Sequence, residues 1–432
     1  MNIETKSGAA EWKSHWPLVL ACFVGYSFPS TAYYALGLFI DPLTKEFGWS
    51  RTEISAGPSI AALVGVPLAP LVGALADRWG VRRLTLVGAI ATAALMASFG
   101  LANGTQVQWL VLWGVFGVAV MGLKSTLWAS VISQRFYTAR SMALAVALSG
   151  SALATTMAPP AAWWLIERFE WRAAWMYLGI GWGIVVFSLC ALFVFDAHDD
   201  ARKRQATGLA TKGASTRPDL PGLSIQEAFH SVRIWRIGLS TLLILLLSSA
   251  LVVHKVPLLI EVGTPRATAA WLASLSGLAG LGGSLIVGWM IDKIDAGKIG
   301  FFTNLVTAVA LVFLLEPFRS ELLIVLSMLV VGFAGGAKVE LCAYMTGKYA
   351  GLRNYGKIFG VMASIIAGTG AAGALVGGVA YDAVGSYDLL IIAAIPASVI
   401  SAFLIVGLGP YPDWNAPEHA VREPSGQPQE GT

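Results

Sequence analysis

The residues Gly73-Ala74-Leu75-Ala76-Asp77-Arg78-Trp79-Gly80-Val81-Arg82-Arg83 form a short charged segment between two long apolar runs. A related segment, Gly288-Trp289-Met290-Ile291-Asp292-Lys293-Ile294-Asp295-Ala296-Gly297-Lys298, begins 215 positions later. In both segments a glycine precedes an aspartate by four residues, and glycine and basic residues follow. The recurrence of this pattern after nearly half of the chain indicates a duplicated unit.

The composition is that of a membrane protein with many spans. Hydrophobic residues make up 56% of the 432 residues and charged residues 12%, whereas soluble domains contain about 25% charged residues. The mean hydropathy is +0.68. The three cysteines, Cys22, Cys190 and Cys342, lie inside apolar runs and are expected to be core residues rather than disulfide or metal ligands. No metal, cofactor or nucleic-acid partner is expected, whereas a lipid bilayer is.

A helix needs about 20 apolar residues to cross the hydrocarbon layer, and twelve such runs follow one another along the chain. The first six are 16–40, 53–76, 84–102, 107–133, 141–166 and 172–195. The second six are 233–259, 267–291, 300–317, 321–346, 357–381 and 388–409. We therefore predict an all-α integral membrane fold with twelve transmembrane helices in two pseudo-symmetric six-helix bundles.

The predicted organisation has five parts. They are a tail at 1–15, a bundle at 16–196, a polar linker at 197–230 with a short amphipathic piece at 224–231, a second bundle at 231–411 and a disordered tail at 412–432. Lys and Arg concentrate in the turns on the linker's side, which marks that side as cytoplasmic. We expect a multi-pass protein of a plasma membrane, the inner membrane of a bacterium, with both termini cytoplasmic and no cleavable signal.

Two six-helix halves with this charged turn between the second and third helix of each half resemble the major facilitator superfamily. The first copy matches the superfamily's loop motif at Gly73, Asp77, Arg78, Gly80, Arg82 and Arg83. The second copy is weaker, because it keeps Asp292 but has Asp295 at a basic or neutral position of the motif. The resemblance implies that Asp77 faces the positive N-terminal end of the eleventh helix, near Tyr355 and Gly356, and holds a cytoplasmic gate closed.

Shorter matches resemble the monocarboxylate-transporter-like branch, which includes relatives of the oxalate/formate exchanger. They are Phe47-Gly48-Trp49-Ser50-Arg51, Trp171-Arg172, Lys348-Tyr349, Tyr355-Gly356 and Phe359-Gly360. That branch carries organic anions, so the resemblance implies an organic anion as substrate. These matches identify a branch and leave the substrate open.

Two lysines lie at mid-depth of predicted helices that line the central cavity in this superfamily: Lys124 in the fourth and Lys338 in the tenth. A lysine at the bilayer centre costs about 2.5–3.5 kcal/mol and usually faces the bundle interior. The two are 214 positions apart, within one residue of the motif offset, and so are expected at equivalent places in the two halves. Such a pair suits a carboxylate or both ends of a dicarboxylate. The alternative is that each lysine pairs with a structural carboxylate or extends towards the cytoplasm.

Glu340 follows Lys338 by two residues, about 200° around a helix, so the two cannot both face the cavity squarely. Glu340 is either a proton-binding carboxylate at the cavity edge or a packing partner towards the eleventh helix. His254, in the outer third of the seventh run, either carries the coupled proton or makes interfacial hydrogen bonds. The aromatic candidates for substrate contact are Tyr26, Tyr33 and Tyr34 of the first run, with Tyr26 and Tyr33 on one face, and Trp128 and Tyr344.

The leading functional prediction is uptake of a small organic carboxylate by proton symport, through rocker-switch alternating access of a monomer. No G-x-x-x-x-G-K-[ST] loop is present, which argues against an ATP-driven pump. Exchange of one anion for another stays open. Proton-coupled efflux is less favoured, because Pro159-Pro160 lacks the glycines of the motif found in drug antiporters. An enzyme is not expected, since no catalytic or metal-ligand spacing stands out among the five histidines.

Overall fold

The computed structural model of the chain describes residues 8–195, 222–291, 293–351, 353–412 and 414. These residues contain helices and one isolated β-bridge, between Gly222 and Gly351, but no strand. Most of the predicted linker and of the predicted C-terminal tail lies outside the described residues.

The first half of the chain folds into helices that follow the first six predicted runs. They are α1 (Gly8–Phe47), α2 (Arg51–Trp79), α3 (Val81–Ser98), α4 (Gln106–Ala119), α5 (Ser125–Arg135), α6 (Arg140–Leu148) and α7 (Gly150–Phe193). A 3₁₀ turn at Val120–Leu123 joins α4 to α5 within the fourth run. Glu170, with φ 64°, separates two arms of α7, which correspond to the end of the fifth run and the sixth run.

The second half repeats this arrangement. Its helices are α8 (Ile225–His230), α9 (Val232–Glu261), α10 (Arg266–Ile291), α11 (Ala296–Val312), α12 (Glu321–Gly335), α13 (Lys338–Ala350), α14 (Tyr355–Val384) and α15 (Asp388–Ile405). The short helix α8 coincides with the amphipathic piece predicted at 224–231, and Ser224 caps it through a reciprocal bond pair with Glu227.

Eight helical stretches among the described residues are long and apolar enough to cross a membrane. They are Val81–Leu101, Gln106–Arg135, Met142–Phe193, Val232–Glu261, Arg266–Ile291, Glu321–Ala350, Tyr355–Val384 and Asp388–Ile405. The predicted fifth and sixth runs share one of these stretches, Met142–Phe193. The first, second and ninth runs are not among the eight stretches and coincide with α1, α2 and the shorter apolar helix α11. The all-α membrane fold is confirmed, whereas the count of twelve crossings stays a prediction.

Among the described residues, the main contacts between the two halves are those of α1 with α9, α2 with α14 and α7 with α10. Their backbones approach closely at one end, where a Cβ on Gly37 would lie 2.4 Å from the Val253 carbonyl oxygen and one on Gly378 would lie 2.8 Å from the Thr52 Cα. Towards the other end of α14, a Cβ on Gly356 would meet open space. We call the end near Gly37 and Gly378 the closed end, and the end near Gly356 the open end.

Candidate functional site

A cavity of about 350 Å³ lies between the two halves of the chain. Its wall consists of residues from α1, α2, the junction of α4 and α5, α9 and α14. The polar residues of this wall are Tyr26, Ser30, Tyr33, Tyr34, Lys124, Ser125 and Ser249. The remaining lining residues are apolar, among them Pro29, Pro58, Val252 and Val253. An apolar cavity with a few polar groups is typical of a site for a small organic molecule.

Lys124 lies where the fourth predicted run departs from the α-helix. Its backbone is extended, with φ −67° and ψ 151°, between the 3₁₀ turn and the first residue of α5, Ser125. The side chain is exposed and lines the cavity. Lys124 is also the N-cap residue of α5, whose first N–H groups carry partial positive charge. An ammonium group and a helix N-terminus therefore lie together on one cavity wall, an arrangement that favours an anion.

The tyrosines of α1 give this wall an aromatic and hydroxyl-bearing surface. Tyr26, Tyr33 and Tyr34, all predicted from the sequence, line the cavity. Ser125, at the start of α5, lines the same cavity as Tyr26. The ring of Tyr33 packs near Trp113, with a centroid separation of 5.5 Å. Tyr26 therefore lies beside the positively charged part of the site.

Trp128 and Tyr344, which the sequence predicts as substrate contacts, lie away from the cavity wall in this conformation. Trp128 is fully buried, donates its indole N–H to the Leu123 carbonyl oxygen at 2.9 Å, and packs so closely that a Cβ on Gly25 would lie 2.7 Å from its ring. Tyr344 lies beside Lys348, whose Nζ is 5.4 Å from the ring centroid. Neither ring belongs to the cavity wall among the described residues. Trp128 fixes the packing of α5 on α1 here.

Lys338 begins α13, after an interruption of the tenth predicted run at Gly336 and Ala337. The two mid-depth lysines therefore both lie at helix breaks, at equivalent places in the two halves. Lys338 is only 6% exposed, and its Nζ donates to Ser248 Oγ on α9 at 2.9 Å. The next residue of α9, Ser249, lines the cavity. Lys124 thus faces the cavity directly, whereas Lys338 lies behind the opposite wall.

Glu340 points in a different direction from Lys338, as their separation around the helix predicts. Its side chain is exposed, and its charge acts on the hydroxyl of Tyr26, which belongs to the other half of the chain. The Lys338 ammonium is buried and directed towards α9, whereas the exposed Glu340 carboxylate lies on another side of α13.

Lys255 is a further cation, beside His254 in the outer third of the seventh predicted run and two residues before Pro257, to which the sequence alone assigns no role. Its Nζ donates to Ser276 Oγ on α10 at 2.5 Å. A signal was present in the sequence, since Lys255 follows Ser248 by seven residues and so lies on the same face of α9.

His254 lies at the closed end and is fully buried. Its Nε2 is 2.9 Å from the Ala374 carbonyl oxygen and 3.1 Å from Ser55 Oγ, and its Nδ1 is 2.8 Å from Tyr387 Oη. Because a carbonyl oxygen only accepts hydrogen bonds, Nε2 carries the proton, and Nδ1 accepts from Tyr387. Arg51 Nη1 in turn donates to Tyr387 Oη at 2.5 Å. The chain of bonds therefore joins α2 to α9 and α15 around a neutral histidine.

Further bonds hold the closed end together. The carboxylate of Asp382, on α14, accepts the backbone N–H groups of Arg51 at 3.2 Å and Thr52 at 2.8 Å. These are the free N–H groups of the first turn of α2, which favour a negative partner. Arg266 Nη2 at the start of α10 donates to the Leu38 carbonyl oxygen of α1 at 2.6 Å.

The charged turn that opens the sequence lies at the junction of α2 and α3. Gly80, with φ 85°, ends α2, and Arg82 Nη2 donates to the Ala191 carbonyl oxygen at 2.7 Å. Arg78 and Arg83 are exposed. Gly73 and Asp77 belong to α2, but their surroundings are outside the description, as is Asp292 altogether. The contact of Asp77 with the start of α14 therefore stays a prediction.

Comparison with known proteins identifies the family. Residues 22–262 and 238–427 match the model of the Major Facilitator Superfamily. The chain belongs to the major facilitator superfamily. It is 24% identical to "Monocarboxylate transporter 13" of Bos taurus over 91% of this chain and 88% of the relative, and 23% identical to "Monocarboxylate transporter 12" of Rattus norvegicus over 90% and 84%. The chain is therefore a transporter and not an enzyme.

Solved structures of the superfamily share the fold. The nucleoside transporter NupG matches with a TM-score of 0.71 and 16% identity, covering 91% of this chain and 99% of that one. A D-xylose-proton symporter matches with a TM-score of 0.68 and 13% identity, covering 92% and 98%. At such low identity the likeness concerns the fold alone.

Proposed function

We propose that this protein takes up a small organic carboxylate anion by proton symport, through rocker-switch alternating access as a monomer. The observation that carries this proposal is Lys124, an exposed ammonium group at the N-terminus of α5 in a cavity between the two halves. The names of the relatives, which are monocarboxylate transporters, support a carboxylate as the substrate.

The cavity offers separate places for the two parts of such a substrate. The carboxylate accepts hydrogen bonds from Lys124 Nζ and from the Ser125 and Tyr26 hydroxyls; one charge-assisted bond is worth about 1.5–3 kcal/mol. The organic part lies against the apolar lining residues, such as Pro29 and Val252. Lys338 lies behind the opposite wall, where its Nζ donates to Ser248, and it does not contact this carboxylate.

In this proposal, alternating access means that the open end and the closed end of the molecule open in turn. The open end faces the cytoplasm in this proposal, since the turns on that side are rich in Lys and Arg. The closed end, held by Arg51, Tyr387 and His254, opens when the halves rock the other way. Asp77 then meets the start of α14 and closes the cytoplasmic side, as the loop motif implies.

Glu340 is the proton carrier in this proposal. Ionisable residues inside the membrane are costly and mark proton and substrate pathways, and Glu340 has an exposed side chain in the first turn of α13. The hydrogen bonds of His254 favour a role in the closed end, because a neutral ring with Nε2–H satisfies all its partners there. Anion exchange is the second candidate, since Lys124 binds an anion equally well without a coupled proton.

The test is uptake of radiolabelled mono-, di- and aromatic carboxylates into proteoliposomes, with and without an inward proton gradient. Lys124→Met is expected to lower carboxylate uptake by about tenfold or more, the loss of one charge-assisted bond. Lys45→Met, which removes an exposed lysine beyond the end of the cavity, serves as the matched control. Unchanged uptake by the Lys124 variant overturns the proposed site, and no uptake of any carboxylate by the wild-type protein overturns the proposed function.

A further inference from the structure

The charges around the cavity do not balance. Among the described residues near it, three lysines carry ammonium groups: Lys124 on the wall itself, Lys338 at the start of α13 and Lys255 near the end of α9. One carboxylate, that of Glu340, follows Lys338 by two residues. The described ion pairs lie elsewhere, at Arg172 with Glu46 and at Arg319 with Asp388. An excess of two positive charges inside a membrane is costly without a counter-charge. A ligand with two negative charges restores the balance.

The positions of two of these lysines define where the second negative charge goes. Within the described part of the chain, the hydrogen-bond partners of both side chains are hydroxyl groups: Lys338 Nζ donates to Ser248 Oγ at 2.9 Å, and Lys255 Nζ donates to Ser276 Oγ at 2.5 Å. An ammonium group has three N–H donors, so each lysine retains donors for a further acceptor. Ser248, which binds Lys338, precedes Lys255 by seven residues and so lies on the same face of α9.

The fold directs these two side chains towards each other. Helix α10 follows α9 after a short turn and runs antiparallel to it. Helix α10 runs parallel to α12 and α13, because Ser276 lies against Gly332 and, four residues further along both segments, Gly280 lies against Gly336. Helices α9 and α13 therefore run in opposite directions. Because a helical side chain leans towards the N-terminus of its own helix, Lys255 and Lys338 lean towards a common region.

This region borders the cavity. Three residues of α9 line the cavity: Ser249, which follows Ser248, and Val252 and Val253, which precede Lys255. A carboxylate that replaces the two serine hydroxyls accepts from both ammonium groups. Lys124 lies on the opposite half of the wall, which leaves it for the other end of the same ligand.

We propose that the substrate is a dicarboxylate whose second carboxylate is held by Lys338 and Lys255. This inference rests on the proposed function, because it assumes that the cavity carries a carboxylate at Lys124. It departs from the relatives, whose names specify monocarboxylates. Lys255 is thereby assigned a role in substrate selection.

The experiment compares two probes of equal chain length, succinate with two carboxylates and butyrate with one, by binding to the purified protein and uptake into proteoliposomes. The wild-type protein is expected to bind succinate at least about tenfold more tightly than butyrate, because one additional charge-assisted contact contributes about this much to the affinity. Lys338→Met and Lys255→Met are each expected to remove this preference and to leave butyrate affinity within about twofold. Lys124→Met weakens both probes, and Lys298→Met, at an exposed position, changes neither.

Two outcomes overturn the proposal: equal affinity of the wild-type protein for the two probes, or equal losses for both probes in the Lys338 and Lys255 variants. If a methionine variant does not fold, Ser276→Ala decides, because freeing Lys255 from its hydroxyl partner is expected to maintain or raise succinate affinity without affecting butyrate. A drop in succinate affinity there contradicts the proposal. The proposed function fails separately, when neither probe nor any other carboxylate is bound.

Discussion

Arg51 and Arg266 are 215 positions apart, the offset that separates the two charged turns, and each donates a hydrogen bond across the contact between the halves. Arg51 Nη1 reaches Tyr387 Oη at 2.5 Å, and Arg266 Nη2 reaches the Leu38 carbonyl oxygen at 2.6 Å. They are the first residues of α2 and α10. Each half therefore uses the same position of its duplicated unit to hold the other half at the closed end.

Tyr387→Phe is expected to weaken the closed end. The change removes the hydroxyl that accepts from Arg51 and donates to His254, and it leaves a buried imidazole acceptor without its partner, at a cost of about 1–3 kcal/mol. Spin labels at the exposed positions Lys45 and Ala383 are expected to show a longer distance component in the variant. Tyr137→Phe, at an exposed ring, is the control, and an unchanged distribution contradicts the role of Tyr387.

Gly37→Val is expected to prevent closure of the same end. A Cβ at this position would lie 2.4 Å from the Val253 carbonyl oxygen, so α1 and α9 must separate. Net uptake is expected to fall about tenfold or more, since a lost backbone contact of this kind costs more than about 1.4 kcal/mol. Gly282→Val, where a Cβ meets open space, is the matched control. Normal uptake by the Gly37 variant shows that the close approach is dispensable.

Glu340→Gln is expected to separate exchange from proton-driven uptake. The amide keeps the size of the side chain but cannot carry a proton, so exchange of labelled for unlabelled substrate continues while uptake driven by a proton gradient falls about tenfold. Both are measured in the same proteoliposomes. Glu321→Gln, at an exposed position at the start of α12, is the control. Full gradient-driven uptake by the Glu340 variant assigns the proton to another group.

Glu46→Gln is expected to lower thermal stability at neutral pH only. A hydrogen bond from Arg172 holds the pKa of the Glu46 carboxyl below its ordinary value, and Trp171 also donates to it. A lowered pKa in the folded state means that the stabilisation is present above the unfolded pKa, about 4.3, and is lost as the pH falls through the folded value.

The effect is small, about 1 kcal/mol or less, because Glu46 and Arg172 are 41% and 38% exposed. The Tm difference between wild type and variant is therefore expected to be present at pH 7 and to disappear in acid, measured by thermal unfolding in detergent. Glu167→Gln, also exposed, is the control. A difference that persists at low pH contradicts the pair's contribution.

For the two mid-depth lysines, the sequence predicted the positions along the chain but not the directions of the side chains. Their spacing predicts equivalent positions, and both lie at helix breaks, but only Lys124 lines the cavity, whereas Lys338 bonds to Ser248. Tyr26 and Tyr33 line the cavity, while Trp128 is buried against α1. The direction of each side chain depends on how its helix is rotated against its neighbours, which residue spacing along one helix does not specify.

By itself the sequence determined the membrane class, the duplication, the superfamily and the approximate bounds of the helices. These follow from local properties, because apolar runs of membrane length and a repeated charged turn are readable without any contact partner. Only the tertiary structure decided that Lys338 bonds to Ser248 and Lys255 to Ser276, and that His254 joins Ser55 to Tyr387. Those relationships arise where helices far apart in sequence meet, and their hydrogen bonds depend on the packing of the two halves.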